Sequence, residues 1–147
     1  MKRGGIQLSK RHRWWLGSVG ASLFLSGGLW LLLGWLLERG VGFTDYLRLF
    51  QSGLLKLHGA AAMALLVALG ILIPTHIVRG WRARRNRTSG VVFLVAIGLL
   101  IVTGYGLYYF GSEYGRLVVR WIHLTVGFAL PLFLVGHIWT GRKNPEH

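Results

Sequence analysis

The sequence has no cysteine, which excludes disulfides, thiolate metal centres, iron–sulfur clusters and covalent CxxCH attachment of haem. It has four acidic residues, Glu38, Asp45, Glu113 and Glu146, and none of them lies in the middle of a long apolar run. A proton pump or coupled ion transporter normally needs a carboxylate or an ion pair within the bilayer, so that class is disfavoured. The chain shows no internal repeat, no low-complexity segment and no second domain.

What is present is apolar. Hydrophobic residues make up 53% of 147, with a mean hydropathy of +0.51, more apolar surface than a soluble domain of this length can hide. The net charge of +13 would suit a nucleic-acid binder, but the Lys and Arg residues fall between long apolar runs, as in membrane loops. Membrane lipid is therefore the expected partner, and nucleic acid is not.

Four stretches are long enough to cross a bilayer as helices: Trp14–Leu37, Leu54–Val78, Val91–Phe110 and Trp121–Thr140. Tryptophans mark most of their ends, at positions 14, 15, 35, 81, 121 and 139, where an indole suits the headgroup boundary. The first run, 24 residues without an A-x-A-like site, is too long for a signal peptide and reads as a retained span. Twelve Lys and Arg lie before span one, between spans two and three, and after span four, against five on the other side. The positive-inside rule then puts both termini in the cytoplasm. The expected fold is all-α: one integral membrane domain, an up-down four-helix bundle.

Among the few ionisable residues that fall within the spans, the histidines stand out. His58 and His76 are on the second, His123 and His137 on the fourth. At about 100° per residue, the 18-residue step returns to the same helix face, and the 14-residue step leaves an offset of about 40°. Spans two and four run in the same direction. His58 and His123 therefore lie near the outer surface, and His76 and His137 near the inner one.

Two imidazoles at each depth are too few for zinc and undersupply copper. A haem brings four nitrogens of its own and needs two axial ligands. The expectation is two b-type haems, one bound by His58 and His123, the other by His76 and His137. Porphyrins need room between helices. Gly20, Gly27 and Gly34 recur every seven residues on span one, and Gly90 and Gly104 are 14 apart on span three. Gly20, Gly34, Gly90 and Gly104 are the candidate cofactor-facing glycines. Lys56, Arg116 and Arg120 flank the outer level, and Arg79, Arg82 and Arg142 the inner one. Arg79 and Arg120 are the candidates to hold propionates.

Several residues take plainer readings. Ser18, Ser22 and Ser26 form a stripe of helix-packing or back-bonding hydroxyls. His12 reads as a solvated or headgroup-facing side chain, and His147 as a terminal residue. Pro74 and Pro131 are expected to kink their helices just before His76 and His137. The unequal His spacings, roughly 27 and 21 Å by helical rise, leave about 6 Å to be absorbed by tilt, kink or offset. Thr75 and Thr125 are close enough in sequence to accept an imidazole N–H. The segment Gly42–Gly53 reads as a short interfacial helix, with a docking platform or the rim of a quinone pocket as alternatives.

With "LKLHG" opening span two, "PTH" near its end, "HLTVG" in span four and "GHIW" closing it, the chain resembles the bacterial diheme cytochromes b. That superfamily includes the cytochrome b561 type and the cytochrome b subunits of hydrogenases and formate dehydrogenases. The segment "TGYGLYYFGSEYGRLVVRWIH" adds to the likeness, which covers Leu54 to Arg142. Two His on each of helices two and four look more like the cytochrome b of bc-type complexes. Many b561-type members take an axial His from the first helix, and Trp14–Leu37 has none.

The resemblance implies haem ligation by His58, His76, His123 and His137, a bacterial inner membrane, and electron exchange with quinone. A periplasmic cytochrome or an oxidoreductase subunit would be the partner, the chain being an electron carrier or an enzyme's membrane subunit. Two other readings stand beside it: a non-redox four-helix scaffold, and a metal transporter using the His pairs.

Overall fold

The computed structural model describes residues 10–40, 44–82 and 87–143. Lys2, Arg3, Arg84, Arg85 and His147 lie outside the described residues, as do the side chains of Thr75 and Arg142. Among the described residues the chain is helical apart from short turns at 39–40 and 110–112, and it has no strands. The helices are α1 (Lys10–Glu38), α2 (Thr44–Leu72), α3 (Val78–Arg82), α4 (Arg87–Tyr109) and α5 (Glu113–Lys143), with a π turn at Ile73–Ile77 between α2 and α3. Four are long and apolar enough to cross a membrane. At a rise of 1.5 Å, 29 residues of α1 or α2 reach about 43 Å, enough for the hydrocarbon core and both headgroup layers.

All four of these helices begin before their apolar runs, α2 and α5 by the widest margins. α2 starts at Thr44, so residues 44–53 are the first turns of the span and not a separate interfacial helix. The apolar residues at 3–4 spacing that made the segment look amphipathic simply continue the helix's own period. α5 starts at Glu113, where Ser112 Oγ accepts the Gly115 N–H at 3.1 Å and caps the N-terminus. Acidic residues occupy the first turns of α2 and α5, Asp45 and Glu113, where the helix dipole favours them. His12 lies on the first turn of α1 and is exposed.

The chain divides into two compact units, Met1–His76 and Ile77–His147. In the first, α1 and α2 form a hairpin. α1 ends through Arg39 and Gly40, whose N–H groups donate to the Leu36 and Leu37 carbonyls at 3.2 Å. Gly40 has φ of +73°, the left-handed conformation that closes many helices and that a Cβ disfavours. No neighbour would touch a Cβ at that position, so backbone strain alone acts there. Gly40→Ala should cost about 1 kcal/mol, read as a lower midpoint of denaturant unfolding in detergent.

The seam of this hairpin is heptad-spaced. Ser26 and Leu33 are buried on α1, and Leu54, Ala61 and Ala68 on α2. A seven-residue repeat of small and apolar side chains is the pattern of shallow-angle helix packing, and the two alanines let the backbones approach. His58 falls within that stripe, four residues after Leu54 and three before Ala61.

The second unit is a hairpin of α4 and α5. Ala96, Ile97, Thr103 and Gly106 are buried on α4, and Val119 on α5. A Cβ on Gly106 would meet Val119 Cγ1 at 3.2 Å, and one on Gly127 would meet Leu100 Cδ2 at 3.7 Å. Arg87 at the start of α4 donates from Nε and Nη2 to the Trp81 carbonyl at 3.1 and 2.8 Å, closing the end of α3.

The two prolines act differently. Around Pro74 the helix widens to a π turn, which holds one residue more per turn than an α-helix. That extra residue shortens the axial distance from His58 to His76 by about 1.5 Å and breaks the regular 100° step on which their common face rested. Pro131 lies inside an α5 that continues as α-helix on either side.

Candidate functional site

Each hairpin sets at least one histidine of one helix against a hydroxyl and a glycine of the other. In the first unit, His58 Nδ1 lies 3.0 Å from the Leu23 carbonyl and 3.1 Å from Ser26 Oγ. Ser26 is 1% exposed, and its Oγ stands 2.6 Å from the Ser22 carbonyl, a separation that requires the hydroxyl proton between the two oxygens. The carbonyl of Leu23 can only accept. Both neighbours of Nδ1 are therefore acceptors, the proton sits on Nδ1, and Nε2 carries the ring's lone pair. A Cβ on Gly27 would lie 3.2 Å from His58 Cε1, so the glycine makes space for the ring.

The second unit repeats the arrangement. His123 Nδ1 is 2.9 Å from Thr103 Oγ1, whose single proton is engaged with the Leu99 carbonyl at 2.6 Å. Thr103 accepts, and His123 is held with Nδ1 protonated. A Cβ on Gly104 would come within 3.4 Å of its Cε1. Fourteen residues along, His137 Nδ1 lies 3.1 Å from Ser89 Oγ, and a Cβ on Gly90 would come within 3.8 Å of His137 Cε1. Thr140 Oγ1 donates toward Ser89 Oγ at 3.1 Å, and Phe93 stacks on the His137 ring at 5.9 Å. The residue numbers of Thr103/His123 and Ser89/His137 share one total, the condition for antiparallel helices held in a single register.

His76 differs. Its Nδ1 is buried and has no hydrogen-bond partner among the described residues. It sits within the π turn, where the chain departs from the regular hairpin.

The dipeptides Ser26–Gly27, Ser89–Gly90 and Thr103–Gly104 thus do one job three times. The hydroxyl faces Nδ1 and the glycine faces Cε1, tightly at Gly27 and Gly104 and with room for a methyl at Gly90. By sequence, Gly90 and Gly104 share the 14-residue spacing of His123 and His137 and Ser26 reads as a helix-packing or back-bonding residue, while Ser89 and Thr103 are not singled out. Ser26 does back-bond to Ser22, and that bond is what makes its oxygen an acceptor for His58. The recurring hydroxyl–glycine pair is the signal that could have found all three.

The other sequence-selected residues lie as follows. A Cβ on Gly34 would meet Gln51 Nε2 at 3.0 Å, and one on Gly20 would meet nothing within 4 Å; Gly27, between them, faces His58. Arg79 and Arg120 are exposed, on α3 and α5, and so are Lys56, Arg82, Arg116 and Thr125. The partners of His58 and His123 thus come from the facing helix of each hairpin. Among the described residues no three His, Cys, Asp or Glu side chains gather as a metal centre.

Comparison of the chain with protein-family models, with curated proteins and with solved structures finds no match in any of the three.

Proposed function

We propose that this multi-pass membrane protein is a small diheme cytochrome b of the bacterial inner membrane. It would carry electrons across the bilayer between the quinone pool and a periplasmic or membrane redox partner. One haem is assigned to His58 and His123 near the outer surface, the other to His76 and His137 near the inner one. Both termini are assigned to the cytoplasm, on the excess of Lys and Arg in the segments of that side. The pairing follows from the depths and directions of spans two and four in the sequence.

One observation carries the reading: Nδ1 of His58 and of His123 each lies within hydrogen-bond reach of oxygens placed to accept, which leaves Nε2 with the lone pair. Imidazole binds a metal through one neutral nitrogen while the other donates its N–H to a carbonyl or hydroxyl, which fixes the ring and raises its basicity. His58 and His123 meet that requirement with Leu23, Ser26 and Thr103. The glycines give a second test of fit, because Gly27 and Gly104 leave each ring clear of the facing helix. Haem, when bound, supplies a one-electron iron couple in a low-dielectric setting. The chain's own residues orient the imidazoles, and Arg79 and Arg120 offer guanidinium groups to propionates at the two surfaces.

A non-redox scaffold would use the same hydrogen bonds to pack its helices. What separates the readings is whether the Nε2 nitrogens bind iron. Detergent-purified protein, expressed with haem supplied, should give two b haems per chain by pyridine haemochrome and a symmetric low-spin Soret band. A count of zero overturns the cytochrome reading and leaves the scaffold.

A further inference from the structure

We infer that Ser26 and Thr103 are positioning residues that lock His58 and His123 as Nδ1–H tautomers. Resting on the haem reading above, they also set how strongly each Nε2 donates to iron.

A neutral imidazole in water exchanges freely between its two tautomers. Facing an oxygen whose only proton is engaged elsewhere, it has one choice. Thr103 Oγ1 spends its proton on Leu99 at 2.6 Å and presents a lone pair to His123 at 2.9 Å. Ser26 does the same through Ser22 at 2.6 Å, and the Leu23 carbonyl at 3.0 Å adds a second acceptor for His58. Hydrogen bonds in such a chain polarise one another, so the back-bond makes each hydroxyl oxygen a better acceptor and the imidazole more imidazolate-like. Both hydroxyl residues are buried, which keeps water from substituting for them.

The four imidazoles are therefore not equivalent. His58 and His123 each donate an N–H to fixed acceptors, whereas His76 Nδ1 has no acceptor among the described residues. A more basic axial ligand favours ferric over ferrous iron. Removing an acceptor weakens the ligand and raises the midpoint potential of the haem that it holds.

Two measurements on the full chain in detergent test this. In haem-free protein with ¹⁵N-labelled histidine, the His123 ring should show a protonated Nδ1 and a pyridine-like Nε2. Thr103→Val, equal in shape but without the hydroxyl, should lose that preference, and Thr103→Ser should keep it. In haem-loaded protein, potentiometric titration of Thr103→Val should move one haem upward by about tenfold in its redox equilibrium, roughly 59 mV for one electron. Thr103→Ser should restore the original value, and Ser26→Ala, which leaves the Leu23 carbonyl to His58, should raise the potential of the haem that His58 holds by less.

An unchanged tautomer signature in Thr103→Val overturns the locking, and an unmoved potential with the full haem content overturns the tuning. If the wild type shows the tautomer signature yet binds no haem, the cytochrome reading fails while the locking stands.

Discussion

His58→Ala and His123→Ala should each take the purified protein from two b haems per chain to one, and the double variant should lose no more. Under the proposed pairing both residues would bind one iron, so removing either ligand would open the same coordination site. Haem affinity in a site of two neutral nitrogens depends on both, and an alanine there offers neither a donor nor the volume of the ring. His76→Ala and His137→Ala should form a second such pair, acting on the other haem. Combining one residue from each pair, as in His58→Ala with His137→Ala, should give haem-free protein. The check is a pyridine haemochrome count per chain, together with a redox titration that shows which component has gone. Haem lost by the pair His58 and His76 together, with His123 and His137 forming the other pair, would instead assign each haem to one hairpin.

Much of the fold was legible in the sequence because the bilayer imposes coarse rules. Length and hydropathy located four spans, since only a helix can satisfy its own backbone over that distance in lipid. Helix starts were less legible, because hydropathy marks where a helix enters the apolar layer and not where it begins. Thr44 and Glu113 lie well before the apolar runs at Leu54 and Trp121, and Ser112 caps α5 in a stretch that hydropathy scores as loop.

The histidines themselves were plain, as ionisable residues within spans are rare. Their partners were not, since contact between helices depends on a register that neither helix encodes alone. Ser26 and Ser22 have the same spacing whether or not an imidazole lies opposite, and only the facing position of His58 gives Ser26 a second task. The heptad of Gly20, Gly27 and Gly34 shows the same limit. Three equivalent positions on one stripe meet open space, an imidazole and a glutamine in turn. Pro74 announced a departure from regular helix but not its kind: a proline removes one backbone donor, and the chain answered with a π turn.

Those same glycines give the second large effect. Gly27→Val should displace the His58 ring and lose the outer haem, at a cost of about 1–3 kcal/mol in the stability of the first hairpin. Even a Cβ alone would stand 3.2 Å from Cε1 and 3.4 Å from Nδ1 of His58, and the two γ-carbons of valine reach further in the same direction. The ring has no easy retreat, because Nδ1 is tied to both Leu23 and Ser26. Moving it breaks two hydrogen bonds and leaves the buried oxygens to find other donors. Gly104→Val should act in the same way on His123, where the corresponding distance is 3.4 Å.

Gly90→Ala is the control within the same motif. At 3.8 Å from His137 its methyl would make an ordinary van der Waals contact, and alanine gains up to about 1 kcal/mol of helix propensity over glycine. Stability should hold or rise, and the inner haem should stay. Denaturant unfolding followed by helical circular dichroism gives the first quantity, and a haemochrome count gives the second. If Gly27→Val and Gly90→Ala behaved alike on both, the glycines would serve general helix packing, and the clearance around the imidazoles would have no special role.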